Sequence, residues 1–387
     1  MIDVKDLIAS YSLQDLIKSA DNYFLHVDKT ALMRKPFNDL TEAGEVLHTF
    51  LIAVQGLKLP MGSRILDFGA GSCWSSRYLA DFGYEVIACD VSSNALAIGR
   101  DMASRQFPAP KYPPHFLVFD GLRLGLPDAS VDGILCLSAF HHVPNSDDVI
   151  AEFARVLKPW GVAALSEPGP AHSRKPQSQY EMANFTVIEN DVDIDAIWMT
   201  ASRVGFTDLE IATFYPDLSL SGLEEFKGFL NGIEPTQYLQ RMRSLMQERR
   251  LFFLEKGEGG ITTSKAVSGL DACIEQGQTV MEAHVGHPVD MKVTVKNTGT
   301  ALWRPSDWPV GPVRLGPSLQ SADGQVSYLP RALLPVDARR GVLPGETVDF
   351  SLSFTFERAG QFDLRLQMVA EFVAWFGPEQ TTKLRVR

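Results

Sequence analysis

Apolar residues recur at helical spacing through the first sixty positions, at Leu13, Leu16 and Ile17, then at Val46, Leu47, Phe50, Leu51 and Val54. From Arg64 the texture changes to short apolar runs alternating with helical patterns. The runs predict strands at Arg64–Phe68, Glu85–Asp90, His115–Phe119, Gly133–Leu137 and Trp160–Ser166. The patterns between them predict helices ending near Leu79, over Asn94–Arg105, and over Asp147–Leu157. The last of these puts Val149, Ile150, Phe153, Val156 and Leu157 on one face. Such alternation implies parallel βαβ units and a doubly wound α/β sheet covered on both faces. A helix over Ile194–Val204 and a strand over Asp208–Phe214 follow. A mostly helical insertion, Gly222–Arg250, then precedes Leu251–Leu254, read as the last strand of the same sheet.

After about Gln276 the period becomes two. Phe350, Leu352, Phe354 and Phe356 alternate with polar residues, as do Phe362, Leu364, Leu366 and Met368, and Met291, Val293 and Val295. Half-buried antiparallel strands broken by turns such as Pro344-Gly345 predict an all-β sandwich of immunoglobulin-like type. The expected organisation is an N-terminal helical cap (1–60), an α/β domain (61–257), a Gly-, Ser- and Thr-rich linker (258–275) and the sandwich (276–387).

Composition narrows the function classes. The chain has 387 residues, 45% hydrophobic and 21% charged, enough for two cores. Its net charge of −11 argues against a phosphate-tracking groove, so no nucleic-acid partner is expected. Cys73, Cys89, Cys136 and Cys273 follow no metal or disulfide spacing. The opening MIDVKDLIAS lacks a signal-peptide pattern, and no run approaches the roughly 18 apolar residues of a membrane span. A soluble, reduced, cytoplasmic protein is the expectation.

The segment Leu66-Asp67-Phe68-Gly69-Ala70-Gly71-Ser72-Cys73 closes the first strand and opens a helix. Its glycines allow a sharp turn and close approach of a ligand, and the helix start offers free N–H groups to an anionic group. Alone, this is shared by NAD, FAD and other cofactor proteins. Asp90 ends the second strand 23 residues after Asp67, where a carboxylate can accept hydrogen bonds from both ribose hydroxyls. Asp120 ends the third, where it can accept from an adenine amine. All three acids fall at carboxyl ends of parallel strands, the crevice where open α/β sheets bind ligands.

At these residues the chain resembles the class I S-adenosylmethionine-dependent methyltransferases, whose first motif reads acid-x-Gly-x-Gly. Downstream, Ser138-Ala139-Phe140-His141-His142-Val143, the segment Glu152–Gly161 (EFARVLKPWG) and Glu167-Pro168 resemble their bacterial small-molecule branch. The likeness is specific over about Ser63–Gly169. Two positions depart from it: Cys73 stands where many members have a third glycine, and Trp160 replaces the first glycine of a pair. The resemblance implies a Rossmann-like fold and S-adenosylmethionine as cofactor. Asp67, Gly69 and Gly71 would then hold the methionine moiety, Asp90 with Val91 and Ser92 the ribose, and Asp120 with Gly121 the adenine. Leu137 and Ser138 would lie near the sulfonium.

A hydroxyl acceptor would need a base. The candidates are His142, His141, Glu167, Glu181 and Tyr180, the last two in a loop roofing the pocket. No metal is expected, because the adjacent His141 and His142 should diverge. In the sandwich, Asn297–Trp303, Pro312–Leu315 and Val373–Phe376 resemble immunoglobulin-like domains of bacterial surface-polysaccharide enzymes, with aromatics that are either core or a sugar platform. This implies a small-molecule or glycan acceptor, O-methylated on a sugar hydroxyl, with a homo-oligomer or glycan contact through the sandwich. The alternatives are a quinone or secondary-metabolite methyltransferase, and a cofactor-binding protein without turnover whose sandwich makes the functional contact.

Overall fold

A computed structural model of the chain describes residues 1–213, 220–233, 236–258, 260–275, 280–306, 308, 310–335 and 341–387. The chain divides into two compact units, Met1–Glu258 and Gly259–Arg387.

The first unit is built on a seven-stranded sheet. Its strands are β1 (Arg64–Phe68), β2 (Glu85–Asp90), β3 (His115–Val118), β4 (Val131–Leu137), β5 (Leu157–Pro168), β6 (Phe206–Ala212) and β7 (Arg249–Lys256). They lie in the order β3-β2-β1-β4-β5-β7-β6. The first five pair in parallel, whereas β7 runs antiparallel between β5 and β6. Of the predicted strands, Arg64–Phe68 and Glu85–Asp90 exist as read, and the others exist with shifted ends. The run Asp208–Phe214 starts two residues earlier, at Phe206, and Phe214 lies outside the described residues.

Helices α1 (Val4–Ser10), α2 (Leu13–His26), α3 (Lys29–Arg34) and α4 (Leu40–Leu57) precede the sheet. Local chemistry starts them. Ser12 and Asp15 form a reciprocal capping box on α2, and the Asp39 side chain accepts from Thr41 N and Glu42 N at the start of α4. The sheet is covered by α4 together with α5 (Trp74–Asp81), α6 (Ser93–Ser104), α7 (Ser146–Val156) and α9 (Ile194–Val204), while α8 (Pro176–Phe185) packs against α2. The insertion before β7 holds α10 (Leu223–Leu230) and α11 (Thr236–Glu248). On one face of the sheet Phe68, Ile134, Phe153, Leu165 and Phe252 are buried in one cluster, and on the other face Ile65, Leu135, Ala164 and Leu251 are buried as well. No helix among the described residues is long and apolar enough to cross a membrane.

The second unit holds β8 (Ala272–Glu275), β9 (Val280–Ala283), β10 (Pro288–Asn297), β11 (Val313–Ser321), β12 (Val326–Tyr328), β13 (Ala332–Leu333), β14 (Thr347–Thr355), β15 (Gly360–Ala370) and β16 (Ala374–Val386). One sheet runs β14-β10-β8 and the other β12-β11-β15-β16-β9, with β13 added on β11. Alternate residues of both sheets, among them Val295, Phe350, Leu315 and Leu364, share one core around Trp303, so the unit is a β-sandwich. Residues 260–275 of the stretch expected as a linker fall within this unit. Ser264 is buried, its Oγ donates to Gly311 O at 2.5 Å, and β8 pairs with β10. The expected sandwich boundary, Gln276, lies outside the described residues.

Candidate active site

The first βα turn is shaped by its glycines. Gly69 has φ +68°, and a Cβ there would stand 2.2 Å from Ala139 Cβ. Gly71 also has a left-handed backbone (φ +53°), and its N–H donates to Asp90 Oδ2 at 2.8 Å. The other Asp90 oxygen accepts from Ser92 N at 2.8 Å. Asp67 is buried and accepts from Ser75 Oγ at 2.7 Å and Ser76 Oγ at 2.5 Å. Burial pushes its carboxyl up to about 6, against the opposing pull of the two serine hydroxyls. The two acids thus tie the turn to the ends of β1 and β2.

Both departures from the motif fall on left-handed backbone. Cys73 has φ +59° and Trp160 φ +65°, the conformation glycine adopts without strain. Room for the Cys73 thiol comes from α6, where Gly99 presents no side chain to it.

A cavity of about 310 Å3 opens beside this turn. Asp67, Gly69, Gly71, Asp90, Val91, Gly121, Leu137 and Ser138 all line it. Ser92 does not; it is buried beneath and caps α6 by accepting from Ala95 N. Asp120 is not among the residues that line the cavity: it is exposed, its Oδ1 accepts from Leu122 N and Arg123 N, and its neighbours Phe119 and Gly121 stand in the wall. The opposite wall is α2, through Leu13, Ile17, Tyr23 and Phe24. Asp21 fastens this helix down: its carboxylate takes Ser92 Oγ at 2.8 Å, Asn94 N at 3.0 Å and Asn94 Nδ2 at 2.9 Å. Lys35 adds a cation to the wall. Sequence reasoning missed Asp21, Phe119 and Lys35, because only long-range packing distinguishes them from other residues of their kind.

The catalytic candidates separate into layers. His142 and Glu181 line the cavity. His141 is buried behind them, its Nδ1 2.7 Å from Glu167 Oε2. Burial lowers the His141 ring to about 4, with the neighbouring His142 adding to the effect. Glu167 is wholly buried and accepts from Ala139 N, Phe140 N and His141 N, so it anchors the 3-10 turn Phe140–His142 and does not reach the cavity. Tyr180 is 55% exposed and does not line the cavity. The expected roofing loop is partly α8, started by Pro176 at its first turn. Two further residues complete the cluster. Glu189 is buried and accepts from His172 Nε2 at 2.7 Å, and its Oε1 lies 3.5 Å from His142 Nδ1. The rings of His141 and His142 stand 3.9 Å apart, so this pair does not diverge. The 3-10 turn brings ligand-type atoms of His141, His142 and Glu189 within 4.8 Å of one another.

Residues 66–165 match the model of a family described as a methyltransferase domain. The chain is an S-adenosylmethionine-dependent methyltransferase. It is 28% identical over 180 residues to a demethylmenaquinone methyltransferase of Paenarthrobacter aurescens, covering 46% of this enzyme and 68% of that protein. To the methyltransferase GfsG of Streptomyces halstedii it is 32% identical over 129 residues, covering 33% and 45%. A solved S-adenosylmethionine-dependent methyltransferase of Mesorhizobium loti shows 18% identity and a TM-score of 0.39, covering 52% of this enzyme and 96% of that chain. In the second unit of the enzyme, Trp303 is fully buried and Phe376 packs against it at 5.6 Å. Trp375 is half-exposed, with the edge of its ring close to Gly316 and the Arg331 guanidinium 5.0 Å from its ring centre.

Proposed function

We propose that the enzyme methylates a hydroxyl of a small ring-bearing acceptor, with His142 taking the proton. The observation that carries this is the bond between His142 Nδ1 and Ile188 O at 2.6 Å. A carbonyl only accepts, so Nδ1 carries the hydrogen and Nε2 is left as a bare base, on a residue that lines the cavity. An alcohol is a poor nucleophile until its proton can leave.

The cradle fits the cofactor: two glycines without Cβ atoms, two carboxylates at strand ends and a cation in one wall. Asp67, Gly69 and Gly71 would hold the methionine moiety and Asp90 with Val91 the ribose. Phe119 and Gly121 would hold the adenine, with Leu137 and Ser138 beside the sulfonium. S-adenosylmethionine supplies a methyl group already activated on sulfur, so the protein's part is alignment, exclusion of water and removal of one proton.

The acceptor class we favour is a sugar hydroxyl in a glycan intermediate. Aliphatic alcohols depend most on a base, and the second unit resembles sandwiches attached to surface-polysaccharide enzymes. A hydroquinone or related metabolite is the second reading, favoured by the name of the Paenarthrobacter relative. Incubating the full chain with methyl-labelled S-adenosylmethionine and panels of nucleotide-sugars and hydroquinones separates them by which panel takes label. In either case His142→Ala should lower turnover about 100-fold while cofactor affinity by calorimetry stays nearly unchanged. Wild-type turnover in that variant would overturn His142 as the base.

A further inference from the structure

Two buried carboxylates stand behind His142, and their surroundings differ. Glu167 accepts three backbone amides as well as His141 Nδ1, so its charge is fully engaged. Glu189 is buried too, though less completely, and among the described residues its close donor is His172 Nε2 at 2.7 Å. Its second oxygen lies 3.5 Å from His142 Nδ1, and its first 3.9 Å from His141 Nε2. A buried carboxylate with so few donors favours a positive charge beside it.

Taking His142 to be the base, as above, we propose that Glu189 is its positioning residue: with its carboxylate fixed by His172, it holds the ring and neutralises the charge it gains. In the transfer, the acceptor oxygen forms the new bond to the methyl carbon and its proton moves to His142 Nε2. The pair of the breaking C–S bond stays on sulfur. The imidazolium so formed, with its Nδ1–H on Ile188 O, faces Glu189 and later returns its proton to water. The other ionisable groups around it are Tyr23 from α2, Asp90 from β2, Glu181 from α8, and His141, backed by Glu167. Tyr23 does not compete as base: burial, with the charges of Glu181 and Glu189, pushes its hydroxyl up to about 12. Sequence pattern gives no hint of this role, since Glu189 lies in the loop between α8 and α9, 47 positions after His142.

The test is the pH profile of kcat for the full chain and its Glu189→Gln variant. Removing the anion destabilises the protonated ring, so the acidic limb should move down by about one pH unit, and the plateau should fall about 10-fold. Glu189→Asp should restore part of both. In a His142→Ala background Glu189→Gln should have no further effect. An unmoved acidic limb, or the same loss in that background, would make Glu189 merely structural. The His142 ring titration, followed by NMR in the wild type and in Glu189→Gln, gives the same answer without turnover: a lowered midpoint in the variant supports the pairing, and an equal midpoint overturns it. Activity abolished by a chelator and restored by zinc would overturn it differently, making His141, His142 and Glu189 metal ligands. A His142→Ala enzyme with full turnover would remove the base itself and leave the pairing without a role.

Discussion

Asp67 is a buried carboxylate held by two serine hydroxyls, with burial dominating its titration. Its pKa rises from 3.8 in the unfolded chain to about 6 in the fold. Folding therefore favours the protonated form. The stability this group contributes is complete below pH 3.8 and is lost as pH rises through 6. We expect the wild type to lose up to about 3 kcal/mol between these limits relative to Asp67→Asn. Denaturant titrations of both proteins without cofactor, at pH 4 and pH 7, measure that difference; parallel behaviour would refute it. Asp67, Asp90 and Asp120 look alike in the sequence, each an acid closing a strand. Burial separates them: Asp67 and Asp90 are buried, whereas Asp120 is exposed and its Oδ1 accepts from its own turn's N–H groups at Leu122 and Arg123.

At the scale of elements, the first βα turn and helix α6 are fitted to one another. A Cβ on Gly99 would lie 2.3 Å from Cys73 Sγ and 2.6 Å from Cys73 Cβ. The second contact is with an atom the chain holds fixed, so rotating the thiol cannot relieve it. Gly99→Ala should therefore destabilise the first unit by about 1–3 kcal/mol despite alanine's better helix propensity. Adding Cys73→Gly should recover most of that loss, since it removes the clash and the left-handed strain together. Thermal unfolding of the wild type, the single variants and the double variant checks the coupling, and additive losses would rule it out. The sequence announced this turn through Gly69 and Gly71 but not the complementarity, because Gly99 lies 26 positions on and reads as an ordinary helix residue.

At the scale of the molecule, the division after Glu258 leaves the whole parallel sheet, its antiparallel β7 and every cavity-lining residue in the first unit. A fragment Met1–Glu258 should fold and bind S-adenosylmethionine within about threefold of the full chain. Cutting near Ser264 instead leaves six residues of the second unit behind, including that buried serine. Calorimetry on the shorter fragment is the check. A folded fragment without affinity would give the sandwich a part in the cofactor site.

The sequence by itself determined the order of strands and helices, the change of period near Gln276 and the Gly-x-Gly turn with its two flanking acids. These are local quantities, carried by side-chain periodicity and by backbone conformations that few residues tolerate. Only the tertiary structure decided that Asp21 latches α2 across the cavity, that Asp120 faces water and that Glu167 is an anchor. It also decided that Glu189 and His172 stand beside His142. Each of these depends on which hydrogen-bond partners become available when distant segments meet and water is excluded, and a single chain read in order does not contain that proximity.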